Sequence, residues 1–305
     1  MSYTHEDLLR LVHATRAVSI WDHDKGPIFW YAQNLPGPFY VNTEKVIGTQ
    51  LAEKLVREIT AIVAGTVDGQ ARAEQLNHLI LDAFKHTPDW QRIVVTLAER
   101  ARASFPAHSY QLVSGGERRD WLFSIPFAHI CDVPHLFLFK DKTHFCAQNI
   151  SAGQSALHVS DLINNAASFF DRWKPALDGM GISCAGNLSV ALRGTEGLKR
   201  LKDIGSPTLS LVTIDAEFFR HLHAGEMISQ ATAEEISVFL SSQRDWALRY
   251  LMPHPSLFHV RECDSKSFER LLHFLRTDPW HLHAVYPDSF AALKKEAESR
   301  ARKAA

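Results

Sequence analysis

The fold is decided by the stretch Ala156-Leu-His-Val-Ser-Asp-Leu-Ile-Asn-Asn-Ala-Ala-Ser-Phe-Phe170. Its apolar start predicts a buried strand, its small and polar residues predict a turn, and its end predicts a helix over Ala167–Met180. In such a unit, backbone N–H groups and the helix N-terminus can converge on a phosphate. Asp161 stands at the end of the strand, where a carboxylate reaches ribose hydroxyls or hydrated Mg²⁺. The stretch favours a phosphate site, although many α/β proteins carry the same pattern without one.

The composition is that of an ordinary globular protein. Of 305 residues, 46% are hydrophobic and 22% are charged, which allows a large buried core. The net charge of −1 provides no basic excess to neutralise nucleic-acid phosphates, so we expect no nucleic-acid partner. No stretch is long and apolar enough to span a bilayer, and the four cysteines show no paired spacing. We therefore expect a cytoplasmic protein that makes no membrane contact.

Strand and helix patterns alternate in the middle of the chain. The predicted strands are Tyr110–Val113, His135–Phe139, Leu157–Ser160, Ala185–Leu192 and Thr208–Ile214. Such alternation predicts an α/β fold with a parallel sheet and helices on both of its faces. Around it we expect an N-terminal helix and hairpin-like lobe over 1–45, a core over 46–214, and a C-terminal helical extension over 215–305 that packs on the core.

Four loops at the carboxyl ends of these strands are candidate ligand sites, because open parallel sheets bind ligands at that edge. One is the turn after Asp161. The loop Ser114–Asp120 has two glycines and two arginines, and Lys140–His144 places two lysines and a histidine on a long connection. In the loop Arg193–Gly197, the arginine can bind a carboxylate through two hydrogen bonds. Each loop is equally compatible with a solvated turn, so the residues leave both interpretations open.

Five short motifs in order give the chain a resemblance to a known family. They are Gly37-Pro-Phe-Tyr-Val-Asn42, the Gly115-Gly116 loop with Ile125-Pro-Phe-Ala128, Pro134-His-Leu-Phe-Leu-Phe-Lys140, His158-Val-Ser-Asp-Leu-Ile163 and Arg193-Gly-Thr-Glu-Gly197. From near residue 8 to near residue 214, the chain resembles orotate phosphoribosyltransferase. The resemblance implies the type I phosphoribosyltransferase fold, with a hood over the base built largely by the N-terminal lobe. The C-terminal helices are an addition to it.

The resemblance also implies a site for 5-phosphoribosyl-1-pyrophosphate (PRPP). Asn164, Asn165, Ala166, Ala167 and Ser168 would hold the 5′-phosphate. Ser160 and Asp161 would face the ribose, with Asp161 serving a Mg²⁺ ion. Ser114, Gly115 and Gly116 would approach the pyrophosphate.

The same resemblance implies an enzyme that uses a nucleobase such as orotate as its second substrate, in pyrimidine biosynthesis. Phe39 and Tyr40 would lie beside the base, and Arg193 would bind its carboxylate. Lys140, Lys142 and His144 would form a cationic catalytic loop with Asp161 as a further catalytic residue. Because that loop serves the partner subunit in the family, a homodimer is implied.

Some positions depart from the family pattern. The family has two adjacent acids before a Thr-Thr-Gly-Gly-like turn, whereas this chain has Ser160 before Asp161 and the turn Asn164-Asn-Ala-Ala167. The family's lysine before the hood strand falls at or beside Ala32. These losses of charge motivate an alternative, a catalytically silent protein of the same fold that binds PRPP or a nucleotide as a sensor or docking module. A structural α/β protein without a small ligand is the third possibility.

Overall fold

The computed structural model describes residues 2–23, 28–106 and 108–304. The helices are α1 (His5–Ala14), α2 (Thr49–Gly65), α3 (Gly69–Lys85), α4 (Pro88–Ser104), α5 (Trp121–Cys131), α6 (Lys174–Gly179), α7 (Glu196–Asp203), α8 (Ala216–Ala224), α9 (Gln230–Ser241), α10 (Gln243–Trp246), α11 (Ser265–Thr277) and α12 (Pro287–Ala304). The strands are β1 (Val18–Ile20), β2 (Phe29–Trp30), β3 (Pro36–Gly37), β4 (Phe39–Val41), β5 (Leu112–Gly116), β6 (His135–Leu138), β7 (His144–Cys146), β8 (Ser155–Ile163), β9 (Ser183–Arg193) and β10 (Thr208–Ile214).

Contacts divide the described part of the chain into two compact units. The first, which we call the sheet unit, comprises Met1–Ala17 and Asn42–Asp215. The second, the helical unit, comprises Val18–Val41 and Ala216–Ala305. This grouping differs from the three consecutive segments that the sequence suggested, because the N-terminal lobe is split and its strands cluster with the C-terminal helices.

Within the described residues, six strands of the sheet unit form one sheet in the order β10-β9-β8-β5-β6-β7. All neighbouring pairs are parallel except β6 and β7. The predicted α/β fold with a mostly parallel sheet flanked by helices is confirmed. From β5 the chain proceeds to β6 on one side and later to β8 on the other, so the strand order reverses between β5 and β8. Such a switch point opens a crevice at the carboxyl ends of the two strands.

Helix α5 packs against β5, β8, α3 and α4. Every residue from Trp121 to Ala128 is buried, which fits a segment that is apolar on all sides. The buried Trp121 indole donates a hydrogen bond to the Gly115 carbonyl at 2.9 Å, so its polar atom is satisfied. Helix α5 therefore fixes the loop that joins β5 to the first turn of α5.

The connection after β6 is a hairpin rather than the long loop that the sequence predicted. β7 pairs antiparallel with β6, with Leu138 opposite His144. Asp141 in the turn accepts hydrogen bonds from Thr143 and from the guanidinium of Arg72, the latter at 3.2 Å. These contacts hold Lys140, Lys142 and His144 in a short, ordered and exposed turn.

The helical segment after β8 spans 167–179 and changes its winding on the way. Phe169–Trp173 forms a π-helical turn, and α6 follows with Pro175 in its first turn. Proline has no N–H to donate, so it is tolerated at the start of a helix. The helical segment begins at residue 167, as the sequence predicts, and the predicted strand Leu157–Ser160 extends to Ile163.

In the helical unit, β1 pairs with β4 and β2 pairs with β3, both antiparallel. The segment from Pro36 to Val41 is therefore divided between two small ladders. Buried aromatic side chains from these ladders and from the C-terminal helices form the core, including Trp30, Phe39, Phe239, Trp246 and Phe274. No described helix of the chain is long and apolar enough to cross a membrane.

Candidate functional site

A cavity of about 460 Å³ lies at the carboxyl ends of β5 and β8 in the sheet unit. This size suits a small-molecule ligand. Polar and charged side chains contribute much of its wall, as do the backbone atoms of the turn after β8. Its lining includes Glu117, Arg118, Arg119, Asp120, Lys140, His158, Ser160, Asp161, the residues 162–169, Arg172, Trp173 and Asn187.

Two aspartates from different loops meet in this cavity. The Asp120 carboxyl accepts hydrogen bonds from the backbone N–H groups of Asp161 and Gly116, both at 3.1 Å. Burial and the neighbouring carboxylate of Asp161 raise the pKa of Asp120 well above its usual value. The two backbone N–H groups that donate to Asp120 act in the opposite direction, because they favour its carboxylate form.

Several groups around Asp161 act on its pKa in opposite directions. Burial raises its pKa, while the Arg119 cation, the hydrogen bond from Asp120 and the backbone N–H of Leu162 act in the opposite direction. The Leu162 N–H lies 2.7 Å from its Oδ1. An acceptor of this kind, partly exposed in a cavity, can bind hydroxyl groups or share a cation.

The turn after β8 is held in shape from outside the cavity. The backbone carbonyl of Asn164 accepts from the N–H of Gly197 at 2.9 Å. A Cβ at Gly197 would lie 2.2 Å from the Asn164 oxygen, so only glycine fits there. The guanidinium of Arg200 donates to the Asn165 carbonyl at 2.6 Å. This bracing holds Ala166 in a left-handed conformation, at φ 56°.

Three of the cations on the cavity wall are paired with other protein groups. Arg119 Nε lies 3.1 Å from an oxygen of the buried Glu44, and the Arg118 guanidinium donates to the Thr60 hydroxyl at 2.6 Å. The Lys140 ammonium lies 3.6 Å from Glu117. The peptide between Glu117 and Arg118 is cis. The pairings fix these positive charges beside the cavity, where they can attract an anion.

Glu44 has one oxygen engaged by Arg119, whereas its other oxygen is buried and has no hydrogen-bond partner within the described residues. Burial raises the pKa of Glu44, and the nearby Asp161 carboxylate adds to the effect, while Arg119 opposes it. Arg119 thus stands between acids on two elements, which concentrates charge at this side of the cavity.

Buried polar residues of the sheet form the rest of the wall. His158, on β8, is hydrogen-bonded through Nδ1 to the Ser114 hydroxyl at 3.0 Å. Burial lowers the pKa of His158 to about 4, so its ring is neutral at pH 7. Asn187, on β9, donates to the Ser206 hydroxyl at 2.8 Å. Neither residue adds charge to the cavity.

The structure brings several of the predicted site residues together. Ser160, Asp161, Asn164–Ser168 and Lys140 all line the cavity. Ser114, Gly115 and Gly116 lie within β5 and are not among its lining residues. A Cβ at Gly115 would lie 2.0 Å from Ser124, and one at Gly116 would lie 2.2 Å from Trp173. These two glycines make room for side chains, and the next residues, Glu117–Asp120, reach the cavity instead.

The other predicted residues lie elsewhere. Lys142 and His144 are exposed on the β6–β7 hairpin and do not line the cavity. Arg193 ends β9, opposite Ile214 of β10. In the helical unit, Phe39 is buried against Phe219 and Phe239, whereas Tyr40 is half-buried beside Phe29. Their predicted roles toward a base stay predictions.

Asp120, Arg172, His158 and Asn187 line the cavity but were not predicted as site residues. Asp120 follows two arginines in a polar loop, and neighbours of this kind predict that its carboxylate is exposed to solvent. Asp120 does end the candidate loop Ser114–Asp120, but the prediction for that loop rests on its glycines and arginines. Arg172 gives no such indication, because it lies inside a predicted helix.

Comparisons with known proteins support a fold assignment. No protein-family model matches the sequence, and no curated protein matches it. Among solved structures, UMP synthase of Leishmania donovani is similar with a TM-score of 0.51 and 9% identity, over 78% of this chain. This chain spans 42% of the length of that one. Orotate phosphoribosyltransferase of Francisella tularensis is similar with a TM-score of 0.51 and 11% identity, over 76% of this chain and 96% of that chain.

These similarities confirm the fold that the sequence motifs implied. The chain has the type I phosphoribosyltransferase fold. At 9% and 11% identity, the likeness concerns the backbone architecture and carries no substrate with it. Any activity must be argued from the cavity itself.

Proposed function

We propose that this protein is a PRPP-dependent phosphoribosyltransferase that binds PRPP in the cavity between β5 and β8. The observation that carries the proposal is the hydrogen-bonded pair of Asp120 and Asp161 at the switch point of a type I phosphoribosyltransferase fold. In the proposed reaction, a base nitrogen forms a bond to the anomeric carbon of PRPP as the bond to pyrophosphate breaks. The base loses a proton from that nitrogen.

The charges around the cavity suit the three parts of such a ligand. The Asp161 carboxylate can accept hydrogen bonds from ribose hydroxyls, and Asp120 fixes its position. Arg118, Arg119 and Lys140 lie on the loops that follow β5 and β6, where they would offset negative charge on departing pyrophosphate. The turn Asn164–Ser168 presents small residues and backbone groups to the 5′-phosphate.

The residues of the cavity fit a Mg²⁺ ion only if the ligand shares it. Among the residues that the structure describes, no group of three or more His, Cys, Asp or Glu side chains could hold a metal. Mg²⁺ is commonly bound by one or two carboxylates together with substrate phosphates. Asp161 would be the carboxylate of this chain that holds it. When bound, the ion would neutralise charge on the pyrophosphate.

The acceptor base is identified by assay of a panel of nucleobases. Orotate is the first base to assay, because one structural neighbour is an orotate phosphoribosyltransferase and because the sequence resemblance assigns the orotate carboxylate to Arg193. Formation of orotidine 5′-phosphate would support that assignment, and a panel of other bases tests it. A homodimer, implied by the same resemblance, is testable by sedimentation of the full chain.

The decisive experiment is isothermal titration of the full chain with PRPP and Mg²⁺. We expect binding by the wild type and a loss of at least about tenfold in affinity in Asp161→Asn, because one charged acceptor for the ribose hydroxyls is removed. Asp171→Asn is the matched control, since Asp171 is an exposed acid nearby that does not line the cavity. If the wild type does not bind PRPP, or if Asp161→Asn binds as well as wild type, the proposal fails.

A second candidate function is binding of PRPP without turnover. It is favoured by the β6–β7 hairpin, which holds Lys142 and His144 in a short turn away from the cavity wall and pairs Lys140 with Glu117. Release of pyrophosphate is the discriminating measurement. PRPP binding without pyrophosphate release, across orotate and the other bases, would favour the silent binder.

A further inference from the structure

Arg172 is a cation on the cavity wall that no other protein group engages within the described part of the chain. In contrast, Arg118, Arg119 and Lys140 on the same wall each have a partner side chain. A guanidinium can hold a phosphate through two parallel N–H···O bonds. We propose that Arg172 binds the 5′-phosphate of the phosphoribosyl ligand, an inference that rests on the function proposed above.

The turn that precedes Arg172 has fewer available donors than a phosphate loop needs. The N–H of Ala167 donates to the side-chain oxygen of Asn165 at 3.1 Å, so this donor is already used. The turn carries no positively charged side chain between Asn164 and Ser168. A dianionic phosphate there would lack a full set of donors unless another group supplied them. Arg172 lines the same cavity and supplies both charge and N–H groups.

Arg172 lies within the π-helical turn Phe169–Trp173, which follows the loop Asn164–Ser168 and directs the Arg172 side chain to the cavity. A π-turn contains one more residue than an α-turn between hydrogen-bonded groups, so it rotates the side chains that follow. Phe169 and Trp173 at its two ends are 5% and 3% exposed. Trp173 fills the space beside Gly116, where a Cβ would clash with its ring. With both ends anchored, the backbone at Arg172 is fixed while its side chain stays exposed to the cavity.

The neighbouring Arg200 does not take this role, because its guanidinium is used by the protein. It donates to the backbone carbonyl of Asn165 at 2.6 Å and lies 4.3 Å from the centre of the Phe170 ring. These contacts brace the turn from the side of α7, and Arg200 is not among the lining residues of the cavity. Arg200 is therefore used to brace the turn, and Arg172 is the arginine available to bind the ligand.

The test separates the two ends of PRPP by titrating the full chain with ribose 5-phosphate and, separately, with pyrophosphate and Mg²⁺. In Arg172→Ala we expect ribose 5-phosphate to bind about 10- to 100-fold more weakly, since a charge-assisted hydrogen bond is lost. Pyrophosphate affinity should change by less than about threefold, within the contribution of a distant surface charge. Arg172→Lys should recover part of the lost affinity for ribose 5-phosphate, because lysine keeps the positive charge but lacks the two parallel N–H donors of the guanidinium.

The matched control is Lys174→Ala, which removes a cation two residues after Arg172 that lies outside the cavity. Lys174 is paired with Asp178 at 2.6 Å and does not line the cavity, so both affinities should stay unchanged. Equal weakening of both ligands by Arg172→Ala, or no weakening of ribose 5-phosphate, would overturn the inference. Failure of the wild type to bind either ligand would instead refute the proposed function.

Discussion

Two loops on the same cavity are held in place by different means. The loop Glu117–Asp120 after β5 is held by a side chain, since Asp120 accepts backbone hydrogen bonds from Gly116 and Asp161. The turn Asn164–Ser168 after β8 is held through its backbone, since its carbonyls accept from Gly197 and Arg200. The first loop is held by its own polar and ionisable side chains, with Asp120 accepting two backbone N–H groups, whereas the second depends on close contact with α7.

This difference explains how the cavity can have two acids although Ser160 stands where the resembled family has the first of its two acids. The second carboxyl group comes from the neighbouring strand's loop, and it joins Asp161 across the switch point of the sheet. The order of the strands, and not an adjacent pair in the sequence, therefore brings two carboxyl groups together in this cavity.

The largest expected effect comes from Asp120→Ala, which removes the side chain that holds the first loop. It leaves the N–H groups of Gly116 and Asp161 without their acceptor, and each unpaired buried group costs about 1–3 kcal/mol. We therefore expect the free energy of unfolding to fall by roughly 2–5 kcal/mol, as measured by urea denaturation at pH 7.

Glu117→Ala is the control for this prediction, because Glu117 is an acid in the same loop. Glu117 accepts one backbone N–H, that of the exposed Lys140 at 3.1 Å, whereas Asp120 accepts two, from Gly116 and Asp161. Loss of Glu117 should therefore cost about 0.5–1.5 kcal/mol. If the two variants were equally stable, Asp120 would not be the residue that holds the loop, and the contrast between the two loops would disappear.

A second prediction concerns the strand residue His158, which lies beneath both loops and is neutral in the folded protein. Because burial lowers its pKa to about 4 from an unfolded value near 6.5, the unfolded chain binds more protons between these values. Its contribution to stability is fully present above pH 6.5 and is lost as the pH falls toward 4. Between pH 7 and pH 5 we expect a loss of about 2 kcal/mol from this residue.

The measurement is urea denaturation of wild type and His158→Gln at pH 7 and pH 5. Glutamine can still hydrogen-bond to Ser114 but does not titrate, so the variant should lose about 2 kcal/mol less than wild type over this interval. His129→Gln, at an exposed histidine of α5, should leave the wild-type dependence nearly intact. An unchanged slope in His158→Gln would mean that His158 does not resist protonation in the fold.

The parallel sheet could be predicted from sequence because each central strand is buried on both faces and therefore apolar, as in Leu136-Phe-Leu138 and Ala156-Leu157. Asp161 could be predicted as a site residue because it lies at the carboxyl end of such a strand. These features depend on local pattern, which one chain displays in full.

The remaining features depend on contacts between distant segments. Asp120 and Asp161 are 41 positions apart, and only the strand order brings them together. The β6–β7 hairpin depends on Arg72 of α3, which fixes Asp141 in the turn. The continuous helical pattern of the sequence does not indicate the π-turn at Phe169–Trp173, whose last residue packs beside Gly116 of β5. Arg172 therefore could not be found before the fold was known.

The smallest expected effect tests the backbone of the second loop. Ala166 has φ 56°, a region that costs an L-residue about 1–2 kcal/mol and costs glycine almost nothing. Ala166→Gly relieves that strain but adds about 0.4–1 kcal/mol of chain entropy to the unfolded state, so the net gain in unfolding free energy should lie between about 0 and 1.6 kcal/mol. Ala167→Gly, in the first helical turn, should instead destabilise by about 0.5–1 kcal/mol. If the two variants change the free energy of unfolding, measured by urea denaturation, in opposite directions, the bracing by Gly197 and Arg200 imposes a strained left-handed conformation on Ala166. If both variants lose the same stability, Ala166 is not strained.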